Sequence, residues 1–340
     1  MFDKLKQLAP QIWSEIQKAN CILLHCHPSP DGDSIGSALG MMHILKKIGK
    51  QVTVIMGDSE PPVALSHLPG FNQIQNKNWF ELELSKFDLF ISQDSSSLGQ
   101  ISKLGEVKFP DHMRVVVIDH HDTNIGYGNI NLIEPTYPAV CQMDYELCKE
   151  WKVKIIPNAA VCFFVGMYTD TNGFKYQRTT NTTFTAAAEL VSLYPDFYKV
   201  IFELENNYEP EQIKFIGLAL SMVELYFGQK VAISAVPYEE LQKRGIEERH
   251  TEKIQISEIL RSVRGWEIGV RFTEAKPGAI TLSFRTRDPN KYDVGKIAVA
   301  TKFGGGHKVA AGGTLKMPFE EAKKYLLDTI HQVYPDLGKP

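Results

Sequence analysis

Aspartate and histidine residues are concentrated in a few short segments of the sequence, where their spacing could support metal chemistry. The segment VVVIDHHDT at 115–123 passes from branched apolar residues directly into Asp119, His120, His121 and Asp122. Histidine is scarce elsewhere, with ten in 340 residues. Because charged groups are seldom buried without partners, this cluster needs a metal ion, a phosphate or a strong hydrogen-bond network.

The segment HPSPDGDSIGS at 27–37 supplies a second group of candidates. His27, Asp31 and Asp33 lie within seven residues of a loop that two prolines stiffen. We expect Asp31 and Asp33 to point to opposite sides of an extended loop, so that each could face a different ion. Ser34 is then the expected N-cap of the following helix. A lone D-x-D more often makes only a turn, but the nearby histidine favours a ligand role.

Two further carboxylates stand at the ends of predicted elements. Asp94 follows the apolar run FDLFIS, and Asp170 ends the helical pattern AAVCFFVGMYTD. His27 and His120 likewise follow predicted strands. Ligands of open α/β sheets bind outside the carboxyl ends of the strands, so these side chains are expected at one edge. Packed carboxylates repel one another unless cations compensate them, which favours a metal site over isolated polar residues.

The candidate ligands are all carboxylates and imidazoles, which suit Mn²⁺, Mg²⁺, Co²⁺ or Fe²⁺ better than a structural zinc ion. They are too many for one ion with open positions and suit two ions that share a carboxylate; the candidates are His27, Asp31, Asp33, Asp94, His120 and Asp170. Two-metal sites with ions ~3.5–4 Å apart serve phosphoryl transfer and hydrolysis. The pattern therefore indicates that class of enzyme.

The elements that must position these residues follow from the apolar periodicity of the first half. Short apolar runs alternate there with helical patterns, which predicts an α/β fold with a doubly wound, mostly parallel sheet covered on both faces. An amphipathic helix is expected near the N-terminus. The predicted strands lie at 21–26, 52–56, 87–92, 114–119 and 129–134, and the predicted helices at 34–48, 138–151, 157–168 and 179–193.

The second half of the sequence predicts a smaller mixed α/β domain. A strand at 230–237 is followed by a helix at about 251–264, by a strand pair at 266–274 and 279–286, and by a closing helix at about 318–333. The expected organisation is a catalytic metal-binding domain at 1–193, a helical connector at 194–228 and a substrate-binding domain at 229–340.

The second domain contains two candidate substrate-binding features. In FGGGHKVAAGG at 303–313, Gly304, Gly305 and Gly306 could expose backbone N–H groups to a phosphate, with His307 as a further donor. The alternative is a flexible turn before a helix of small residues. Arg285 is a candidate for a bidentate contact to a phosphate or a base edge.

Composition excludes some functional classes. The chain is 43% hydrophobic and 23% charged, as in ordinary soluble globular proteins. Its net charge of −3 argues against a broad basic surface for long nucleic acid but allows a local basic pocket. The five cysteines form no C-x-x-C pair and lie mostly in apolar surroundings, which predicts buried free thiols in a reducing cytoplasm. We identify no signal peptide and no segment that could span a membrane.

The segments resemble, in family order, the four motifs of the DHH phosphoesterase superfamily. The matching stretches are HPSPDGDSIGS, SQD, DHH and YTDTNGF. GGGH at 304–307, with SFRT at 283–286, resembles the DHH-associated domain of one branch. The resemblance covers nearly the whole chain and is strongest to the short two-domain nanoRNase/pAp-phosphatase members, often described as exopolyphosphatase-related.

This resemblance implies a role for each matching residue. It implies two metal ions, expected to be Mn²⁺, that share Asp94 as a ligand. One ion would be held by His27, Asp31 and Asp94. The other would be held by Asp33, Asp94, His120 and Asp170. His121 would contact the scissile phosphate or assist the leaving oxygen. Asp119 would orient an imidazole. Phe174, which follows Asp170 closely, could stack a base, although aromatic residues more often belong to a core.

The resulting expectation is a cytoplasmic phosphohydrolase that degrades short single-stranded RNA to mononucleotides. The same enzyme could remove the 3′-phosphate of adenosine 3′,5′-bisphosphate (pAp). Long duplexes and membranes are not expected partners, and a homodimer is a further assembly to test. The alternatives are a phosphodiesterase of linear or cyclic dinucleotides, an exopolyphosphatase, and a nucleotide-binding regulator without activity. Metal-dependent turnover separates the enzymes from the regulator.

Overall fold

The computed structural model describes residues 3–252 and 254–339. The chain divides into two units, Met1–Asn207 and Tyr208–Pro340. The division lies inside the predicted connector 194–228, whose residues form two helices and one strand. The first of these helices belongs to the first unit, while the second helix and the strand belong to the second unit.

The first unit is built on a five-stranded sheet in which every neighbouring pair is parallel. Its strands are β1 (Cys21–His25), β2 (Gln51–Ile55), β3 (Leu89–Gln93), β4 (Arg114–Asp119) and β5 (Ile130–Ile133). Its helices are α1 (Asp3–Lys18), α2 (Gly32–Lys47), α3 (Val140–Glu150), α4 (Pro157–Asp170), α5 (Asn181–Leu193) and α6 (Phe197–Glu205). The predicted α/β class with a mostly parallel sheet is therefore confirmed.

The order of the strands decides where a ligand can bind. It runs β2–β1–β3–β4–β5, so the chain moves from β1 to one side and then returns to the other side at β3. In open parallel sheets, a crevice opens at the carboxyl ends of the strands where the direction reverses. Here that point lies between β1, which precedes His27, and β3, which precedes Asp94.

The two faces of this sheet are covered differently. Side chains alternate between the faces along a strand. On β1, Ile22 and Leu24 belong to the core that α1, α2 and α3 cover, whereas Leu23 belongs to a second cluster. That cluster is covered by short 3₁₀ turns and loops, with Trp79 packed edge-on against Phe90 of β3. Both faces are thus buried, as the continuous apolar strands predict, but α-helices cover only one.

Close packing between α2 and α4 brings two candidate ligands together. A Cβ atom on Gly36 would lie 2.6 Å from the backbone oxygen of Cys162, and one on Gly32 would lie 2.3 Å from Thr169 Oγ1. The start of α2 therefore lies directly beside the end of α4. Asp33 in the first turn of α2 and Asp170 at the end of α4 reach the same site for this reason.

The second unit has the predicted mixed architecture. Its strands are β6 (Val223–Tyr226), β7 (Val231–Val236), β8 (Ile268–Lys276), β9 (Ala279–Thr286), β10 (Gly304–Gly306) and β11 (Ala310–Lys316). Its helices are α7 (Pro210–Ser221), α8 (Tyr238–Lys243), α9 (Ile256–Ser262), α10 (Val294–Ala300) and α11 (Phe319–Val333). The sheet order is β10–β11–β9–β8–β7–β6, in which β7 and β8 pair in parallel and the other neighbours are antiparallel.

The predicted helix at 251–264 forms only from Ile256 to Ser262. All five cysteines are free thiols, and four of them are buried, as expected. Across residues 3–252 and 254–339, every helix falls short of the length or the apolar character that crossing a membrane requires.

Candidate metal centre

The carboxyl ends of β1, β3 and β4 bring imidazoles and carboxylates into contact. Asp94 Oδ2 lies 3.3 Å from His27 Nε2, and Asp94 Oδ1 lies 3.4 Å from His120 Nε2. His120 Nε2 is also 3.3 Å from Asp170 Oδ2, and His27 Nε2 is 3.7 Å from Asp31 Oδ1. Residues from distant parts of the sequence thus meet at the predicted edge.

Both histidines are oriented by the protein backbone. His27 Nδ1 lies 3.1 Å from the carbonyl oxygen of Pro28, and His120 Nδ1 lies 3.2 Å from that of Tyr137. A carbonyl oxygen only accepts, so each Nδ1 carries a proton and each Nε2 is directed at the carboxylates. Histidine ligands of metal ions are commonly oriented by such a contact to the other ring nitrogen.

The electrostatics of the centre favour positive charge. Burial lowers the pKa of His27, but the Asp31 and Asp94 carboxylates outweigh this effect and raise it to about 11. Burial likewise opposes protonation of His120, whereas Asp94 and then Asp170 raise its pKa to about 10. A proton on each Nε2 and a cation bound between these groups are alternative ways to compensate the carboxylates.

Asp31 caps the helix that presents Asp33. Asp31 Oδ1 accepts hydrogen bonds from the backbone N–H groups of Asp33 and Ser34, each at 3.0 Å. The prediction that Ser34 is the N-cap is therefore wrong, because the helix begins at Gly32 and Asp31 has the extended backbone of a capping residue. Ser34 Oγ instead accepts a hydrogen bond from His27 N at 3.0 Å. Asp31 thus combines the capping role with a place beside His27.

Asp33 lies at the N-terminus of α3. Its Oδ2 accepts from Val140 N at 2.6 Å and its Oδ1 from Cys141 N at 2.9 Å, in the first turn of that helix. Backbone N–H groups at a helix N-terminus favour an anion. Burial and the negative charge of Asp94 nevertheless raise the pKa of Asp33 to about 7.

Asp94 has the most constrained environment of the set. It is 3% exposed, and its backbone has a φ of 51°, a left-handed conformation that is uncommon for residues other than glycine. Its Oδ1 atom is buried, and the nearby His120 Nε2 is not aligned to donate a hydrogen bond to it. Backbone strain and an unsatisfied buried oxygen are typical of functional sites, where a ligand supplies the missing partner.

The side chains fall into three overlapping groups that could hold a divalent cation. Within each group, the ligand atoms lie within 4.8 Å of one another; the groups are His27–Asp31–Asp94, Asp33–His120–Asp170 and Asp94–His120–His121. Carboxylate oxygens and imidazole nitrogens are suitable donors for such ions. All six predicted ligands are therefore brought together, and Asp94 contacts histidines of both main groups.

Asp119 lies behind the centre and contacts His121. Its Oδ1 atom lies 2.8 Å from His121 Nδ1, and its Oδ2 atom accepts from Asn124 Nδ2 at 2.6 Å. Asp119 is fully buried, whereas the side chain of His121 is 30% exposed. This arrangement holds the His121 ring at the border of the site. His121 also belongs to one of the three groups, together with Asp94 and His120.

A cavity of about 140 Å³ opens over these residues. It is lined by His27, Asp31, Asp94, Ser96, Gln100, His120, His121 and Asp170. Sequence analysis missed Ser96 and Gln100, which add an uncharged hydroxyl and amide to the wall. Their position in SSSLGQ, directly after Asp94, is the signal that could have identified them.

Arg178 was also overlooked. Its Nη2 atom donates to Asp122 Oδ2 at 3.1 Å, and its Nη1 atom lies 3.5 Å from the carbonyl oxygen of His120. It thereby ties the segment after α4 to the loop that carries His120 and His121. The sequence contains no signal for this contact, because 56 residues separate Arg178 from Asp122.

The predicted substrate-binding residues have other surroundings. Gly304, Gly305 and Gly306 form the edge strand β10, paired with β11, so the alternative of a flexible turn before a helix of small residues is wrong. The reason is steric, since the facing residues of β11 include Gly312 and Gly313, whose lack of side chains allows close pairing. His307 follows this strand and is exposed.

Arg285 lies on β9 and is held within its own unit. Its Nη1 atom donates to the carbonyl oxygen of Phe284 at 2.9 Å, and its Nε atom lies 3.4 Å from Glu258 Oε2. Its side chain is 26% exposed. Phe174, in the first unit, packs beside Phe164, Tyr168 and Phe184 and is not among the residues that line the cavity.

One further acidic group, Glu209–Glu211–His250, is explained without a metal ion. His250 Nδ1 accepts a hydrogen bond from Glu247 N, so its Nε2 atom carries the proton and faces Glu209 Oε2 at 3.3 Å. Arg249 Nη1 donates to both oxygens of Glu209. The negative charge of Glu209 is therefore compensated by protein groups.

Known proteins resemble this chain over most of its length. Residues 21–167 match the DHH family, N-terminal domain. The bifunctional oligoribonuclease and PAP phosphatase NrnA of Thermus thermophilus is 27% identical over 333 residues, which are 95% of each chain. The NrnA protein of Bacillus subtilis is also 27% identical, over 90% of this chain and 93% of its own.

A solved structure gives the same result for the fold. The crystal structure of an exopolyphosphatase-related protein from Bacteroides fragilis superposes with a TM-score of 0.88, at 25% identity and 98% coverage of both chains. Three observations support the same assignment: the parallel sheet, the aspartates and histidines at its strand ends, and the family match. Residues 21–167 of this chain are a DHH family N-terminal domain.

Proposed function

We propose that this protein is a divalent-metal-dependent phosphohydrolase that cleaves short RNA oligonucleotides to mononucleotides and removes the 3′-phosphate of pAp. The observation that carries this proposal is the convergence of Asp94, His27 and His120 with further aspartates in one cavity. The names of the Thermus thermophilus and Bacillus subtilis relatives support this substrate class.

In this proposal, two metal ions occupy the centre, and Mn²⁺ is the metal that we expect. His27, Asp31 and Asp94 hold one ion, and Asp33, Asp94, His120 and Asp170 hold the other. When bound, such ions neutralise phosphate oxygens and lower the pKa of water that attacks phosphorus. Asp94 is the shared ligand, which agrees with its contacts to both His27 and His120.

The protein groups around the ions have separate tasks. Asp119 Oδ1 accepts a hydrogen bond from the Nδ1–H group of His121, which orients the ring and favours its protonated form. Burial lowers the pKa of His121, but the contact with Asp119 and the charge of Asp94 outweigh this and raise it. His121 is therefore suited to donate a hydrogen bond to a phosphate oxygen and to assist the leaving oxygen.

Arg285, the strand Gly304–Gly306, His307 and Phe174 are proposed to bind the rest of the substrate. Arg285 offers a charge-assisted contact to a phosphate. The pairing of Arg285 with Glu258 means that such a contact must compete with an existing ion pair. Gly305 has open space where a side chain would be, so a ligand could approach its backbone closely.

A second candidate is exopolyphosphatase activity, which the description of the Bacteroides fragilis neighbour suggests. Linear and cyclic dinucleotides are further phosphodiester substrates that a two-metal site could cleave. These reactions release different leaving groups, so turnover measured on each substrate distinguishes them.

The deciding experiment compares substrates under defined metal conditions. Chelator-treated protein is supplied with Mn²⁺, Mg²⁺, Co²⁺ or Fe²⁺ and assayed on a labelled RNA dinucleotide, a longer RNA, pAp, cyclic di-AMP and polyphosphate. We expect metal-dependent turnover of the dinucleotide and pAp, with much slower cleavage of the longer RNA. Preferred turnover of polyphosphate or cyclic di-AMP would replace the proposal, and binding without turnover would indicate a regulator.

A further inference from the structure

A buried polar pair lies beneath the metal centre, outside the set of candidate ligands. Gln93 is the last residue of β3, directly before Asp94, and Asp144 lies in α3. Their side chains are 1% and 0% exposed, respectively. Gln93 Nε2 donates a hydrogen bond to Asp144 Oδ2 at 2.5 Å.

The remaining two oxygens of this pair have no donor. Gln93 Oε1 and Asp144 Oδ1 are both buried and without a hydrogen-bond partner. No lysine, arginine or histidine among residues 3–252 and 254–339 forms an ion pair with Asp144. An ionised Asp144 would therefore be a buried charge supported by a single hydrogen bond, an arrangement that folded proteins rarely tolerate.

One proton on Asp144 would satisfy both oxygens. A carboxylic acid has one O–H donor and one C=O acceptor, and a primary amide has complementary groups. We propose that Asp144 is a neutral acid whose O–H group donates to Gln93 Oε1 while Gln93 Nε2 donates to Asp144 Oδ2, and that this closed pair positions Asp94. Burial and the negative charge of Asp33 raise the pKa of Asp144 well above its usual range, in agreement with the neutral form.

The pair connects two ligands through one helix. The first turn of α3 holds the Asp33 carboxylate through Val140 N and Cys141 N. Asp144 is four residues after Val140 and thus lies one turn later on the same side of the helix. Through Asp144, α3 also fixes Gln93, whose backbone oxygen accepts from Ser95 Oγ at 3.1 Å. Helix α3 therefore holds both the Asp33 carboxylate and the end of β3, which Asp94 directly follows.

The inference rests on the proposed function only in that this centre binds metal, and its readouts do not require a substrate. Asp144→Asn keeps the volume and offers Gln93 the same donor and acceptor, so we expect wild-type metal affinity. Asp144→Ala leaves both polar groups of Gln93 buried without partners. We expect it to weaken Mg²⁺ and Mn²⁺ binding by roughly tenfold or more, as is usual for residues that orient metal ligands.

Titration calorimetry measures the metal affinities, and infrared spectroscopy detects the proton directly. With Mg²⁺ bound, wild-type protein should show a carboxylic-acid C=O band at neutral pH that shifts in D₂O and is absent from Asp144→Asn. Should Asp144→Ala not fold, the wild type and Asp144→Asn still decide the question. Absence of the band, or a tenfold loss of metal affinity in Asp144→Asn, would overturn the inference. If the band is present but no RNA or pAp is cleaved, only the proposed function fails.

Discussion

The buried carboxylate of Asp94 faces His120 across 3.4 Å, and its other oxygen faces His27 across 3.3 Å. Asp94 follows β3, whereas the histidines follow β4 and β1, the neighbours of β3 in the sheet. One carboxylate thus links both halves of the candidate centre. Burial raises the pKa of Asp94, but His120 and His27 outweigh this and lower it, so the residue is an anion at neutral pH.

We predict that Asp94→Ala abolishes turnover and metal binding together. Removing a shared carboxylate would leave two cations repelling each other at short range. The metal content measured by elemental analysis should therefore fall together with the turnover rate. Asp111→Ala is the control, because it removes an exposed carboxylate that precedes β4, at the end of the strand away from His120, and should retain bound metal. An Asp94 variant with two bound ions and normal activity would eliminate the shared-ligand assignment.

We predict that His121→Ala lowers kcat while metal remains bound. A side chain that contacts the reacting phosphate typically contributes ~10²–10⁴-fold to the rate. His120→Ala is the matched comparison, because removal of this predicted metal ligand should release metal. Calorimetry of metal binding alongside kcat distinguishes the two histidines. Equal loss of metal in both variants would show that His121 is a ligand.

We predict that Arg285→Ala raises KM for RNA dinucleotides and pAp by roughly tenfold, the value of one charge-assisted phosphate contact. Hydrolysis of bis-p-nitrophenyl phosphate should change far less, because that ester requires only the metal centre. The measured quantity is kcat/KM on the dinucleotide divided by kcat/KM on the generic ester. Lys276→Ala on β8 removes an exposed cation from the same sheet and is the control. An unchanged ratio in Arg285→Ala would show that this arginine does not bind the substrate.

We predict that Gly36→Ala and Gly217→Ala change stability in opposite directions. The added methyl at 36 would meet the Cys162 backbone oxygen at 2.6 Å, so overpacking should cost about 1–3 kcal/mol. At 217, in the exposed middle of α7, no atom lies within 4 Å, and alanine should stabilise the helix by about 0.5–1 kcal/mol. Urea denaturation measures both values. Metal affinity should also fall in Gly36→Ala, since α2 and α4 position Asp33 and Asp170. A neutral Gly36→Ala would contradict the close packing.

The sequence by itself determined the local elements and the types of ligand. Continuous apolar runs require strands buried on both faces, and Asp94, Asp119 and His120 stand where such runs end. Because the carboxyl ends of parallel strands share one edge, the sequence alone assigns these residues to one site. Four of the five cysteines were likewise buried, as the apolar surroundings indicated.

Only the tertiary structure decided the contacts that depend on long-range packing. The cap of α2 is Asp31 rather than Ser34, because both residue types suit that position and the approach of α2 to α4 sets where the helix begins. Gly304–Gly306 form a strand paired with β11, where Gly313 and Gly312 stand opposite Gly304 and Gly305 and allow a close approach. The pairing of Gln93 with Asp144, 51 residues apart, leaves no local pattern, since it arises from the packing of α3 against the end of β3.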